Sequence, residues 1–417
     1  MRVYVRTYGC KVNQVDSEEL AARLVGEGHV LVRDESLAQL YVINSCAVTA
    51  EAVAKVRKGV RRAASLPGVA QVLVSGCAAV LHADELTALS DKIVIIGGGV
   101  GDGLPPRGPV SASLRPPSTG SIPNSSSGHT RVPIKVQDGC ENYCSYCIVP
   151  YARAACRSTS LDTLCQQVAE LAANGTEEVV LTGINIGRYR DPETGTDLVG
   201  LIRALDERTG IGRIRLSSIE PPDVTDALCE LLEEGILCEH LHIPLQSGSD
   251  SVLAAMGRHY TSAEYVEALA RVRAAAPATA ITTDVIVGYP TETEADFAST
   301  LALCRQQRFA KIHVFRFSGR AGTPAAALAP LGPRIVADRA RRLRALSDEL
   351  VARYTAACDG RTLEWIVERI DPATQTATLT SREHLVMQAG ARGLVQGQLV
   401  ELPFAMMKTS IPEGAEV

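Results

Sequence analysis

Twelve cysteines stand in this 417-residue chain, and six of them fall into two groups of three. The first group is compact: Gly139-Cys140-Glu141-Asn142-Tyr143-Cys144-Ser145-Tyr146-Cys147, a C-x3-C-x2-C spacing directly after the apolar run Val132–Val136. Three thiolates this close can wrap a cubic iron–sulfur cluster and leave its fourth iron without a protein ligand. An open iron suits a cluster that binds a small molecule, as opposed to one that only carries electrons. Zinc is the competing assignment. A structural zinc site closes with a fourth Cys or His at a matching distance, whereas the next cysteine here is Cys156, nine residues on.

The second group, Cys10, Cys46 and Cys77, is spread over the first 80 residues. Each follows a segment that reads as a strand (Val3–Tyr8, Tyr41–Asn44, Gln71–Ser75). In a parallel sheet the carboxyl ends of the strands share one edge, where ligands bind, so three cysteines on that edge can converge as ligands. Gly9 and Gly76 precede two of them and permit the tight turns such loops need. The alternative is three unrelated buried cysteines. Cys165, Cys229, Cys238, Cys304 and Cys358 sit singly in apolar surroundings and read as small buried hydrophobes. In a reducing compartment, closely spaced cysteines are ligands or catalysts more often than disulfides.

The elements that must position these residues follow a β-α alternation. Residues 1–96 carry the three strands above, a fourth at Lys92–Ile96, and helices over Ser17–Glu27 (with Asp16 or Ser17 as N-cap), Thr49–Ala64 and Ala78–Leu89, which predicts a parallel-sheet α/β domain. Residues 97–128 contain 21 Gly, Pro or Ser in 32 positions and read as a flexible linker. The region 129–358 resumes the alternation, with strands at Val132–Val136, Glu178–Thr182, Arg213–Ser217, His240–Ile243, Ile281–Val287 and Ile312–Phe317. Leu161, Leu164, Cys165, Val168 and Leu171 share one helical face, Thr261 and Glu264 form a capping box, and Arg334–Ala357 reads as a long basic helix. Six β-α units predict an open, partial (β/α)6 barrel and not a closed eight-stranded one. Residues 359–417 switch to short β runs, Thr362–Ile370, Thr376–Thr380, Leu385–Gln388 and Leu399–Phe404, predicting a small β-barrel.

The formal net charge of −5 argues against nonspecific polycationic binding but leaves room for a local basic face. Lys55, Arg57, Lys58, Arg61 and Arg62 share one helix, and Arg339, Arg341, Arg342 and Arg344 crowd another. Either is a solvated face or a phosphate-contacting one. No eighteen-residue apolar run is present, so no membrane association and a cytoplasmic location are expected.

Nearly the whole chain resembles the radical-SAM methylthiotransferases. The resemblance rests on Tyr8–Asn13 around Cys10, Asn44–Thr49 around Cys46, Ser75-Gly76-Cys77, the Cys140–Cys147 loop continuing as Ile148-Val149-Pro150-Tyr151-Ala152-Arg153, and on Leu181–Asn185, His242–Ser249 and Asp284–Pro290. It implies a division of labour. Cys140, Cys144 and Cys147 would hold a 4Fe–4S cluster whose open iron chelates S-adenosylmethionine (SAM). Cys10, Cys46 and Cys77 would hold an auxiliary 4Fe–4S cluster that presents sulfur. One SAM would methylate that sulfur, and a second would be cleaved to a deoxyadenosyl radical that activates a C–H bond, so that no side chain need act as a catalytic acid, base or nucleophile. Tyr146, Thr182, Gly183, Gln246 and Asp284 would contact SAM or face its cavity.

Leu181–Gly187, Arg213–Pro221 and His240–Pro244 resemble the branch acting on N6-threonylcarbamoyladenosine at tRNA position 37. The implied partners are a tRNA anticodon loop, an electron donor such as a flavodoxin or ferredoxin, and a sulfur donor. The C-terminal β segment resembles the small RNA-binding (TRAM-like) barrel appended to this family, which would help hold an RNA whose target base is splayed out. Action on isopentenyladenosine or on a ribosomal-protein aspartate remains open, as does a non-catalytic iron–sulfur RNA-binding or electron-transfer role. The sequence departs from the family pattern at Ala154, where Gly is usual, at Thr159, where Arg is common, and at the extra thiol Cys156.

Overall fold

The computed structural model describes residues 1–97, 130–153 and 155–407. Apart from Gly97, the expected linker lies outside the described residues, as does Ala154. The chain divides into two compact units. The first holds Met1–Ser127, Asp138–Arg157 and Ser318–Ala326; the second holds Gly128–Gln137, Ser158–Phe317 and Ala327–Val417.

In the first unit five parallel strands form one sheet: β1 (Arg2–Thr7), β2 (Val30–Leu31), β3 (Leu40–Ser45), β4 (Gln71–Gly76) and β5 (Ile93–Ile95), in the spatial order β2-β1-β3-β4-β5. All six residues of β3 are buried, as expected for a central strand covered on both faces. The short β2 escapes sequence reading because both of its residues are exposed. Register aligns the carboxyl ends: Thr7 pairs with Asn44, and Ser45 with Gly76. The three cysteine-bearing turns therefore leave the same edge.

Helix α1 (Lys11–Gly26) begins at Cys10, well before the expected start at Ser17, and the expected caps serve other purposes. Asn13 and Ser17 face inward and are hydrogen-bonded: Asn13 Nδ2 donates to Tyr8 O at 2.8 Å and Ser45 O at 3.1 Å, and Ser17 Oγ donates to Asn13 O at 2.8 Å. These two polar residues interrupt the apolar pattern of a buried face that also holds Val12 and Val15, so the first turns do not stand out as helix in the sequence. Helix α2 (Ala50–Ser65) is capped by Thr49, whose Oγ1 accepts from Ala52 N at 3.1 Å. The expected third helix is broken at His82 into α3 (Cys77–Leu81) and α4 (Ala83–Thr87).

The second unit contains the six barrel strands, Arg131–Lys135, Glu178–Thr182, Arg213–Leu216, His240–His242, Ala280–Val287 and Lys311–Arg316. Parallel ladders form two three-stranded sheets, and the parallel bridges Ile214–Leu237 and Ser218–His242 join them into one open array. Among the described residues the first and last strands do not pair, so the barrel stays open. Helix Leu161–Ala173 buries Leu164, Cys165, Val168 and Leu171, and the Thr261–Glu264 capping box opens Ser262–Ala275. The C-terminal strands Thr362–Asp371, Thr376–Ser381, Val386–Gly390 and Leu399–Pro403 form an antiparallel sheet around buried Trp365, Val367, Leu379 and Met387.

Buried ions join that sheet to the barrel. Arg215 Nε lies 2.6 Å from Glu178 Oε1, and its Nη atoms donate to Arg382 O at 2.9 Å and Ser381 O at 3.1 Å. Arg213 Nε reaches Glu364 at 2.8 Å, and Arg131 Nε reaches Glu368 at 2.7 Å. Burial alone would raise the Glu178 carboxyl, but Arg215, Arg131 and Arg213 hold it below the usual carboxylate range. Glu178→Ala would strand two buried guanidinium groups and is expected to cost about 3–5 kcal/mol. The urea unfolding midpoint of the full chain measures this, and a change under about 1 kcal/mol would be typical of an exposed pair instead.

Candidate active site at two cysteine sets

Cys10, Cys46 and Cys77 come together at the carboxyl edge of the five-stranded sheet. Gly9 shows how closely two of the loops meet: at φ +112 a Cβ there would lie 2.8 Å from Cys46 Cβ and 3.1 Å from Cys46 Sγ. Only glycine satisfies both the backbone angle and the approach. Cys46 and Cys77 are buried and Cys10 is exposed. Burial raises both buried thiols. The backbone amides of Val48 and Ala47 and the Arg320 guanidinium draw Cys46 back down, while Arg153 does so for Cys77. Cys10 acts on both, so the three sulfurs lie within electrostatic reach of one another.

The compact set belongs to the same unit. Asp138 Oδ1 accepts from Gly139 N at 2.9 Å and Asn142 N points at Cys140 Sγ at 3.5 Å, while Cys147 N donates to Cys144 O at 2.9 Å. Gly139 sits at φ +82, and a Cβ there would meet Ala155 O at 2.2 Å. Tyr143 holds φ +46 and packs edge-on against Tyr151 at 5.8 Å. A non-glycine residue in that region marks a loop held by its surroundings. Ile148 and Ala152, immediately after the loop, are buried in the core of the first unit.

Arg153 links the two sets. Its side chain is 5% exposed. Nη1 lies 2.7 Å from both Asp138 oxygens, and Nη2 reaches Asn13 Oδ1 at 3.0 Å and the Asp16 carboxylate. Asn13 in turn holds Tyr8 O and Ser45 O, the carbonyls flanking the Cys10 and Cys46 turns. Burial opposes the Arg153 charge, but Asp16, Asp138 and Cys77 keep the guanidinium charged.

The donor chemistry of both sets suits iron–sulfur clusters. Each set offers three soft donors; Asn142 N points at Cys140, the Val48 and Ala47 amides and Arg320 act on Cys46, and Arg153 acts on Cys77, a setting that favours an anionic iron–sulfur core.

Tyr146 lies in the compact loop of the first unit. Thr182, Gly183, Gln246 and Asp284 lie in the second. Thr182 is buried at a strand end, its carbonyl accepting from Val136 N at 2.9 Å, and Gly183 closes against Gln137. Gln246 is buried at φ +63 and pairs through its backbone with Asp284 O and Ile286 N. Asp284 Oδ1 lies 3.2 Å from His242 Nε2, whose Nδ1 contacts Thr282 Oγ1 at 2.9 Å, and the His313 ring stands 5.6 Å from that of His242. This histidine pair, Arg153's linking role and Arg320 were not singled out in the sequence, where isolated His and Arg residues give no sign of burial.

The basic helices are largely occupied. Arg339 is buried against Glu292 at 2.7 Å and over the Phe297 ring, and Arg342 reaches Glu294 at 2.6 Å. On α2, Lys55, Arg57 and Arg62 pair with Glu51, Glu85 and Glu35.

Comparison with known proteins decides the family. Residues 134–304 match the Radical SAM superfamily, and residues 2–98 match Uncharacterized protein family UPF0004. The chain is 38% identical to the threonylcarbamoyladenosine tRNA methylthiotransferase MtaB of Thermotoga maritima, over 78% of this chain and 76% of that one. It is 34% identical to the Bacillus subtilis protein of the same name, over 89% and 86%. It is also 34% identical to the tRNA-2-methylthio-N(6)-dimethylallyladenosine synthase of Sphingopyxis alaskensis, over 88% and 86%. The chain belongs to the radical-SAM methylthiotransferase family. The fold is shared with the radical SAM methyltransferase TsrM of Kitasatospora setae at TM-score 0.55 and 14% identity, over 78% of this chain and 76% of that one. No helix among the described residues of this methylthiotransferase is long and apolar enough to cross a membrane.

In this methylthiotransferase, Arg153→Met leaves Asp16 and Asp138 facing a buried apolar group and is expected to lower stability by about 3–5 kcal/mol. Adding Asp16→Asn and Asp138→Asn should recover part of that loss in thermal melts; no recovery would show that the ion pairs are not its cause. His313 is pushed down to about 4, first by burial and then by His242, with Asp284 opposing and Lys311 adding to the fall. Its unfolded value is about 6.5, so the unfolded chain binds the extra proton and stability falls as pH drops from about 6.5 towards 4. His313→Gln should flatten that limb, and NMR of the His313 ring should show no titration above pH 5.

Proposed function

We propose that this enzyme converts N6-threonylcarbamoyladenosine at position 37 of tRNA to its 2-methylthio derivative. The observation that carries the reading is the pairing of two three-cysteine sets through Arg153 in a chain whose relatives of 38% and 34% identity bear the name of that activity. Cys140, Cys144 and Cys147 would hold the SAM-binding 4Fe–4S cluster, and Cys10, Cys46 and Cys77 the auxiliary one. Tyr146, Thr182, Gly183, Gln246 and Asp284 are the residues assigned to SAM. When bound, the clusters and SAM supply the methyl group, the radical and the sulfur.

The chain's own residues supply placement and electrostatics. Arg153 fixes the start of the compact loop to the turns of the spread set. Asn142 N and the Val48 and Ala47 amides direct positive dipoles at the sulfurs. Burial of Cys46 and Cys77 excludes water from two of the three auxiliary positions. His242 holds the Asp284 carboxylate in place. The C-terminal sheet, with its surroundings locked by Arg213 and Arg215, is the assigned RNA-contacting part.

A second reading, action on dimethylallyladenosine, draws support from relatives such as the Sphingopyxis alaskensis enzyme. Anaerobic reaction of the reconstituted enzyme with dithionite, SAM and tRNA carrying one or the other modified adenosine separates the two. Methylthiolation of the threonylcarbamoyl nucleoside, measured after digestion to nucleosides, is the expected outcome. Product from only the dimethylallyl substrate would transfer the assignment to the second reading, and no 5′-deoxyadenosine from SAM would remove the enzymatic reading altogether.

A further inference from the structure

Aromatic side chains make up 4% of the chain, and among the described residues only Tyr143, Tyr151 and Phe315 are exposed. Two of these three meet. The Tyr143 and Tyr151 rings stand 5.8 Å apart, edge to face at 81°, and are 52% and 42% exposed. A single exposed tyrosine is ordinary. Two bare rings held against each other are not what burial alone produces, because the hydrophobic effect favours covering both.

The backbone holds the pair outward. Tyr143 takes φ +46, a left-handed conformation that a bulky residue adopts where its surroundings impose it. Its neighbour Cys144 is buried, and Cys147 N closes the turn on Cys144 O at 2.9 Å. Tyr151 rides on the short helix Val149–Ala152, in which Pro150 and Ala152 are buried. Ile148, whose carbonyl accepts from Tyr151 N at 3.2 Å, lies with Ala152 in the core of the first unit. Core residues on both sides of Tyr151 thus fix the side from which its ring emerges. Glu141, two residues before Tyr143, is exposed as well. This stretch therefore offers ring faces beside a negative charge, which is no cradle for phosphate.

Flat rings without a cation suit the faces of bases. Resting on the tRNA substrate proposed above, an adenosine modified on its ring has to leave the stack. Its neighbours in the anticodon loop then lose a stacking partner on one face, and aromatic side chains replace such partners whatever the base. We propose that Tyr143 and Tyr151 form a stacking platform for the base of a nucleotide flanking the splayed-out adenosine. No bond is made or broken at either ring; the platform holds the RNA in place beside the compact cysteine loop.

The test uses the full-length, anaerobically reconstituted enzyme and an anticodon stem-loop RNA with threonylcarbamoyladenosine at position 37. The RNA carries 2-aminopurine, whose fluorescence rises on unstacking, at position 36 or 38. At saturating wild-type enzyme the probe is expected to stay quenched at one of the two positions. Tyr143→Ala/Tyr151→Ala should release that quenching and weaken binding at least tenfold with iron per chain unchanged, while Tyr143→Phe/Tyr151→Phe keeps both. If the alanine pair loses iron, Tyr151→Leu, bulky but without a flat face, takes its place against Tyr151→Phe. Equal affinity and quenching in wild type and the alanine variant overturn the platform, as does a probe that brightens at both positions on wild-type enzyme. A phenylalanine variant that behaves like alanine also overturns it, because a hydroxyl contact would then be at work. Turnover lost only with a protein reductant, with RNA binding and the dithionite-driven rate unchanged, assigns the rings to the electron donor and overturns it too. The functional reading fails separately, in nucleoside analysis of the same RNA: a stem-loop that stays quenched but gains no methylthio group sinks that reading and leaves the platform standing.

Discussion

Arg153 is shut away from water between Asp138 on one stretch of chain and Asn13 and Asp16 of α1 on another. Asp138 starts the compact cysteine loop, Asn13 ties down the turns around Cys10 and Cys46, and Asp16 lies on α1, which starts at Cys10. An exposed ion pair would contribute little to such an arrangement. Buried, with both terminal nitrogens of its fork directed at fixed acceptors, the guanidinium penalises any displacement of one loop without the other. The relative placement of the cysteine loops within the first unit depends on it.

The second unit uses the same device at a different place. Glu178, Arg213 and Arg215 are fully buried, and Arg215 spends its remaining donors on carbonyls of the C-terminal sheet. The barrel and the C-terminal sheet are thereby held as one body. On the strand Ala280–Val287 the alternation of side chains separates roles: Thr283 bonds to Tyr265 of a covering helix, while Thr282 and Asp284 meet His242 on the opposite face. The polar side chains on that face are thus held by one another inside the second unit.

Much of this was legible in the residues. The barrel strands stand out because parallel strands are apolar on both faces, and Glu178–Thr182 appears with the boundaries expected. The capping box at Thr261 is local chemistry and survives folding unchanged. The cysteine sets were legible too, the compact one from spacing and the spread one from its position after strands. What was hidden depends on tertiary partners. The early start of α1 was missed because Asn13 and Ser17 face inward as polar residues. Arg153 and Arg320 look like surface cations until burial shows that one has two carboxylates and the other none. Arg339, read with its neighbours as a possible phosphate contact, is instead packed against Glu292 and Phe297. Substrate choice was carried by resemblance, since no local rule relates these residues to one modified base.

The central claim is that the two cysteine sets are separate ligand sites within one connected framework. Iron and acid-labile sulfide per chain, measured after anaerobic reconstitution, address it directly. Replacing Cys10, Cys46 and Cys77 by alanine should remove about half of the iron, replacing Cys140, Cys144 and Cys147 should remove the other half, and replacing all six should remove it all. Full retention of iron after either triple replacement would contradict the two-site arrangement.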